Sequence, residues 1–274
     1  QIIGTQFHPE IFTANGDALM GKLFKFLVNK ADTFKMAKDI HTRILSVDTH
    51  TDTPLWFTRG AFSAGWRKSN QVSIQKMEEG KLDAQFLAAF LAQKERDEVS
   101  SQKAVEKCHK MIEGIYADVA KYKDDCGIAL TEEDARRLKA EGKKAFFIGI
   151  ENGYAIGKDI KNVKKYKDMG VQYMTLSHSY DNDICNSSSN TADASKGLTA
   201  FGRKVVKEMN KVGMMIDVSH VSEGTFWDVI KLSKDPIFAS HSSVRALCDH
   251  DRNLTDEQLR ALAKNGGVIQ ICIY

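Results

Sequence analysis

The sequence predicts an α/β fold built as a barrel of parallel strands, and three observations carry that prediction. Short apolar, β-branched runs alternate with amphipathic helical stretches in six or seven successive β-then-α units, the pattern of a parallel sheet with helical crossovers. Acidic and histidine residues follow directly on several of these runs: His50 and Asp52 after Ile44–Val47, Glu151 after Ala145–Ile150, His220 after Met214–Val218, and His241 after Pro236–Ser240. An open doubly wound sheet would gather its chemistry at one switch point. Barrel strands all end at one mouth, and here the polar residues follow nearly every strand.

The elements run in order along the chain. Residues 1–30 differ in character from the rest, with a short strand over Gln1–Phe7 and a helix over Ala18–Asn29 that read as a piece of another α/β domain. Residues 31–43 form a polar, helical linker, and the barrel occupies 44–274. After the first barrel strand, Ala84–Ala92 is the second and Ser100–Tyr122 a long amphipathic helix. Thr131-Glu132-Glu133-Asp134 resembles a capping box opening a helix that stops near Gly142. Ile160–Met169 is a Lys-rich helix ended by Gly170, and Val171–Ser177 the strand after it. Helices follow at Thr199–Val212, stopped by Gly213, at Glu223–Ser233, and from Thr255 to Gly266-Gly267. Only seven strands can be counted from Leu45 onward, the last over Val268–Tyr274, so the eighth is expected beyond Tyr274 in a longer polypeptide.

Composition narrows the function. A formal charge of +3, with Lys interleaved among Asp and Glu, gives no basic face for nucleic acid. No run approaches the roughly 18 apolar residues of a membrane span, and the opening Gln1-Ile2-Ile3-Gly4 is no signal peptide. Five cysteines (Cys108, Cys126, Cys185, Cys248 and Cys272) are an odd number without a CxxC pair, which predicts reduced thiols.

Three histidines and two carboxylates at strand ends make a binuclear hydrolytic metal site plausible. Each member has a plainer reading. His50-x-Asp52 places two side chains on one face of a strand end, where a hydrogen-bonded pair would also fit. Glu151 leaves a buried strand and must be paired or metal-bound. His220 and His241, 21 positions apart, span one helical crossover, and either alone would read as a core histidine. The conjunction is what core packing does not explain. His178 ends another strand, as a sixth member or a hydrogen-bonded neighbour. Arg252 is a candidate anion clamp, although composition alone favours a surface ion pair with Asp249 or Asp251.

Taken in order, these residues resemble the membrane (renal-type) dipeptidase family of zinc hydrolases, peptidase family M19. The resemblance runs from about Ile44 to Tyr274 through Val47-Asp48-Thr49-His50-Thr51-Asp52-Thr53-Pro54, Gly149-Ile150-Glu151-Asn152-Gly153 and Tyr173-Met174-Thr175-Leu176-Ser177-His178. It continues through Gly197-Leu198-Thr199-Ala200-Phe201-Gly202, Ile216-Asp217-Val218-Ser219-His220-Val221, Ser240-His241-Ser242-Ser243 and Arg252-Asn253. It implies a (β/α)8 TIM-type barrel holding two zinc ions: His50 and Asp52 on one, His220 and His241 on the other, Glu151 bridging. It also implies that His178 polarises the scissile carbonyl, Arg252 holds the substrate's C-terminal carboxylate, and Trp56 and Tyr274 wall the pocket. The implied reaction is hydrolysis of a dipeptide by a hydroxide shared between the metals, in a homodimer. A further aspartate of the family, on its last strand, would lie beyond this chain.

A second resemblance covers only the start. Gly4-Thr5-Gln6-Phe7-His8-Pro9-Glu10, with the helix after it, is similar to the C-terminal end of a class I glutamine amidotransferase-like domain, the γ-glutamyl hydrolases being nearest. His8 and Glu10 would complete a triad whose cysteine lies upstream. Two rival functions follow: a binuclear metal hydrolase acting on another amide or lactam, and a metal-free scaffold fused to the glutaminase-type domain. Ligand-type residues at all five positions argue against the scaffold.

Overall fold

The structure is a computed structural model that describes residues 31–59, 70–190 and 193–272. The strand and helix expected over 1–29, together with His8 and Glu10, lie outside the described residues, as does Tyr274. The linker is helical as expected, forming α1 (Ala31–Arg43).

Eight parallel strands follow: β1 (Val47–Asp48), β2 (Ala84–Phe90), β3 (Cys126–Ile128), β4 (Lys144–Glu151), β5 (Val171–Thr175), β6 (Met215–Asp217), β7 (Phe238–Ser242) and β8 (Val268–Ile271). Seven of them run in the order β1-β2-β4-β5-β6-β7-β8, every pairing parallel, as the sequence predicts. The eighth, β3, lies off this path and pairs with the start of β4 through Cys126↔Lys144 to Ile128↔Phe146. Among the described residues no pairing joins β8 to β1, so the wall is nearly closed. Across that gap Thr49 Oγ1 donates to the Ser240 carbonyl at 2.6 Å, tying the exits of β1 and β7 together.

Helices cover the outside: α2 (Ile74–Glu79), α3 (Glu98–Ala120), α4 (Glu132–Ala140), α5 (Lys161–Asp168), α6 (Ala200–Val212), α7 (Glu223–Leu232) and α8 (Asp256–Lys264). Their ends carry the chemistry read from the sequence. Thr131 with Asp134, and Thr255 with Gln258, form capping boxes that satisfy orphan N–H groups of α4 and α8. Gly213 closes α6 in the left-handed region at φ 69°.

Period-two alternation on the barrel strands sorts side chains into two cores. On β4, Phe146, Ile148 and Ile150 pack outward against the helices. Ala145 and Phe147 point into the lumen with Phe86, Tyr173 and Phe238. These aromatic rings contact one another: Phe86 stacks on Phe147 at 4.7 Å, and Tyr173 meets Phe238 edge-on at 5.3 Å. They form an apolar floor, and the same alternation carries Glu151 to the lumen face above it.

Candidate metal centre

Four strand ends deliver their polar residues to one place. Glu151, 1% exposed, is the hub. Its Oε1 lies 3.1 Å from Nε2 of His220 and 3.3 Å from Nε2 of His241, and these two nitrogens are 2.9 Å apart. Donors around a tetrahedral zinc, at about 2.0–2.1 Å from the metal, stand roughly 3.3 Å from one another. The triangle is of that size. The other oxygen, Oε2, lies 3.6 Å from Nε2 of His50, which is itself 3.6 Å from Oδ1 of the half-exposed Asp52. Nε2 of His178 stands further off, 3.8 Å from Oε1.

Within 4.8 Å the potential ligand atoms also gather as His50–Glu151–His241 and as Glu151–His178–His220, with Asp52 in neither group. The shorter separations favour His220 beside His241. The His50 ring nevertheless stacks on His241 with centroids 3.8 Å apart, so the two halves of the site are in contact.

Local structure fixes these rings. His220 adopts φ 69°, uncommon for a residue with a Cβ; its carbonyl, accepting from the Ser188 N–H at 2.8 Å, holds that turn. His50 has its backbone N–H on Oδ1 of Asp48 at 2.9 Å and its Nδ1 3.0 Å from the Tyr173 hydroxyl. His241 donates its backbone N–H to Ser219 Oγ at 3.0 Å.

Burial sets the protonation. It pushes His220 and His241 down to about 3, helped by the charge of Arg252 on the first and of His50 on the second. Both rings are therefore neutral, the form that ligates metal. Burial also lowers His178. His50 differs: burial opposes its charge, but Tyr173 and Glu151 override that and hold its pKa well above the usual histidine value. Glu151 would be raised by burial, yet the charge of His50 keeps it well below the carboxylate range.

The residues fit a metal. Glu151 Oε2 and His220 Nδ1 are buried polar atoms without a hydrogen-bond partner. Such atoms cost about 1–3 kcal/mol each. A carboxylate oxygen left so among nitrogen donors is what a bound cation would satisfy, and imidazole with carboxylate is a donor set that suits zinc.

The site opens into a cavity of ≈ 1020 Å³ whose lining includes Trp56, His178, Cys248 and Arg252. Arg252 forms no ion pair with Asp249 or Asp251 among the described residues; the part-buried side chain turns back towards the β7 exit instead. Its Nη2 donates to the His241 carbonyl at 2.9 Å, and Nη1 is buried without a partner. Arg252 thus lines the cavity with one guanidinium nitrogen unused.

Several residues here escape the sequence reading. Tyr173, Ser240 and Asp217 support the histidines from behind, and Cys248 and Cys272 line the cavity. The available signal was polarity inside buried strands: a hydroxyl or carboxylate on a strand covered on both faces needs a partner.

Comparison with known proteins points to one family. The sequence model of the family described as membrane dipeptidase, peptidase family M19, matches residues 34–274. That match begins after the opening segment, so the amidotransferase resemblance of residues 1–30 rests on its motif alone. An uncharacterised dipeptidase of Schizosaccharomyces pombe is 31% identical over 255 residues, covering 86% of this chain and 61% of that protein. The dipeptidase aclJ of Aspergillus oryzae is 28% identical over 262 residues, covering 91% and 62%. The crystal structure of the probable dipeptidase PvdM from Pseudomonas aeruginosa superposes with a TM-score of 0.79 at 32% identity, over 86% of this chain and 62% of that one. The chain spans about three fifths of the length of the curated relatives it matches.

Proposed function

Since the chain belongs to the membrane dipeptidase family, peptidase family M19, we propose that it forms part of the catalytic barrel of a zinc-dependent dipeptidase. The observation that carries this reading is Glu151, whose Oε1 faces His220 and His241 while Oε2 faces His50. His50, Asp52 and Glu151 would hold one zinc; His220, His241 and Glu151 the other. When bound, such a pair supplies Lewis acidity and a water acidified towards pKa about 7.

The chain's own residues then orient the substrate. Arg252 offers its unused Nη1 to the C-terminal carboxylate, which limits substrates to those with a free C-terminus near the scissile bond. His178 is neutral, and Ser179 Oγ lies 2.9 Å from its Nδ1. With that hydroxyl donating to Nδ1, the ring carries its proton on Nε2 and donates it to the peptide carbonyl oxygen as charge develops there. Trp56, at the cavity wall, would contact a substrate side chain; the same role for Tyr274 rests on the family resemblance alone.

The test uses the full-length protein, stripped with chelator and titrated with zinc while dipeptide hydrolysis is followed. Activity returning as two zinc ions bind per chain is the expected result. Zinc binding without turnover would move the substrate to another amide or lactam, and failure to bind zinc would overturn the reading.

A further inference from the structure

Behind the histidines lies a hydrogen-bond chain whose direction can be worked out. Asp217, fully buried at the end of β6, accepts four hydrogen bonds. Oδ1 takes the backbone N–H groups of Ser219 at 3.0 Å and Ser240 at 2.9 Å. Oδ2 takes the hydroxyls of Ser240 at 2.6 Å and Thr175 at 2.5 Å. Ser240 Oγ also lies 2.7 Å from Nδ1 of His241. A serine hydroxyl owns one hydrogen, and an acceptor-only carboxylate cannot supply another. That hydrogen goes to Asp217, so Ser240 can only accept from His241. The imidazole must carry its proton on Nδ1, and its Nε2 lone pair is turned towards Glu151. His220 has no such anchor, its Nδ1 being buried and unpartnered.

We propose that Asp217, acting through Ser240, is a positioning residue that locks His241 in the tautomer able to ligate a metal. The inference rests on the reading of His241 as a ligand. Its physical basis is general: a partner that accepts the far N–H of a ligating imidazole fixes ring orientation and basicity, and losing it weakens metal binding about 10–100-fold. Thr175 supplies an internal control. It donates to the same oxygen of Asp217 but makes no contact with His241 through that bond.

The experiment uses the full-length protein and two readouts. Nitrogen-15 NMR of the zinc-free protein reports which nitrogen of His241 is protonated, and calorimetric titration with zinc reports affinity. The native protein is expected to show Nδ1–H. Ser240→Ala should move His241 towards Nε2–H and weaken zinc binding by about 10–100-fold, while Thr175→Val leaves both unchanged. The proposal is overturned by Nε2–H in the native protein, by native-like affinity in Ser240→Ala, or by an equal loss in Thr175→Val. Should Ser240→Ala fail to fold, the native spectrum decides alone. A native protein that shows Nδ1–H but binds no zinc would remove the metal reading and leave the tautomer lock standing.

Discussion

The hydroxyl of Tyr173 lies 3.0 Å from Nδ1 of His50, and this contact depends on Gly149. The Tyr173 ring occupies the space where a side chain at 149 would be, so that a Cβ there would overlap the ring. Gly149→Ala should displace Tyr173 and with it His50. Overpacking of this kind costs about 1–3 kcal/mol, read as a lower denaturant midpoint. Tyr173→Phe keeps the packing and removes only the hydroxyl. It should cost about 1 kcal/mol in stability and weaken zinc binding by about 10-fold, so the pair separates packing from polar support.

Glu151→Gln tests the hub. The amide is nearly isosteric but neutral, and it offers a donor where a carboxylate oxygen faced His220 and His241. Zinc content should fall below one ion per chain, and dipeptide hydrolysis by on the order of 100-fold or more, as expected when a direct ligand rather than its support is lost. Metal analysis of the purified variant checks the first and initial rates the second.

Acid should destabilise the metal-free protein in a defined window. His220 and His241 are pushed down to about 3 in the fold, while unfolded histidines titrate near 6.5. Between those values the unfolded chain binds more protons, so stability rises with pH across the window and is lost on acidification from about pH 6.5 towards pH 3. Glu151, held below the carboxylate range, adds to the loss at the acid end. His50 works in the opposite sense: its raised pKa contributes stability that is complete below about 6.5 and fades only at higher pH. Urea midpoints measured between about pH 4 and about pH 7 should therefore rise with pH.

Much of this site was legible because each ligand-type residue ends an apolar run long enough to read as a strand. Ala145–Ile150 followed by Glu151 is the clearest case, and period-two alternation alone puts that carboxylate on the lumen face. β3 was not legible, since Cys126–Ile128 has three residues and becomes a strand only by pairing with the start of β4. The supports were hidden for a different reason. Strands buried on both faces carry apolar residues at lumen and exterior positions alike, so nothing in the sequence set Tyr173 apart. For Arg252, composition alone favoured a surface ion pair because its neighbours are acidic, whereas the chain folds its guanidinium back onto the His241 carbonyl.

Thiol chemistry offers an independent check on burial. All five cysteines are free, and burial pushes Cys108, Cys126 and Cys185 up to about 12. These three should resist iodoacetamide in the native protein, because the reactive species is the thiolate. Cys248 is exposed at the cavity and should be modified first. Mass spectrometry of peptides from briefly alkylated native protein should find the label at Cys248 and none at the buried three.

On the proposed reading, Arg252 would decide what kind of substrate the cavity takes. Its Nη1 is buried without a partner, so an incoming carboxylate would gain a charge-assisted hydrogen bond to a nitrogen already withdrawn from water. Removing one partner of such a desolvated pair costs about 2–5 kcal/mol, or roughly 30-fold or more in kcat/KM. Arg252→Met, which keeps most of the aliphatic volume, should lose that factor on a dipeptide. A dipeptide with an amidated C-terminus offers no anion, so it should be a poor substrate for the native protein and lose little further in the variant. Zinc affinity should change far less than activity, because Arg252 touches His241 only through a backbone carbonyl. Equal losses on the acid and the amide would place Arg252 outside substrate recognition and leave it a strut for the β7 loop.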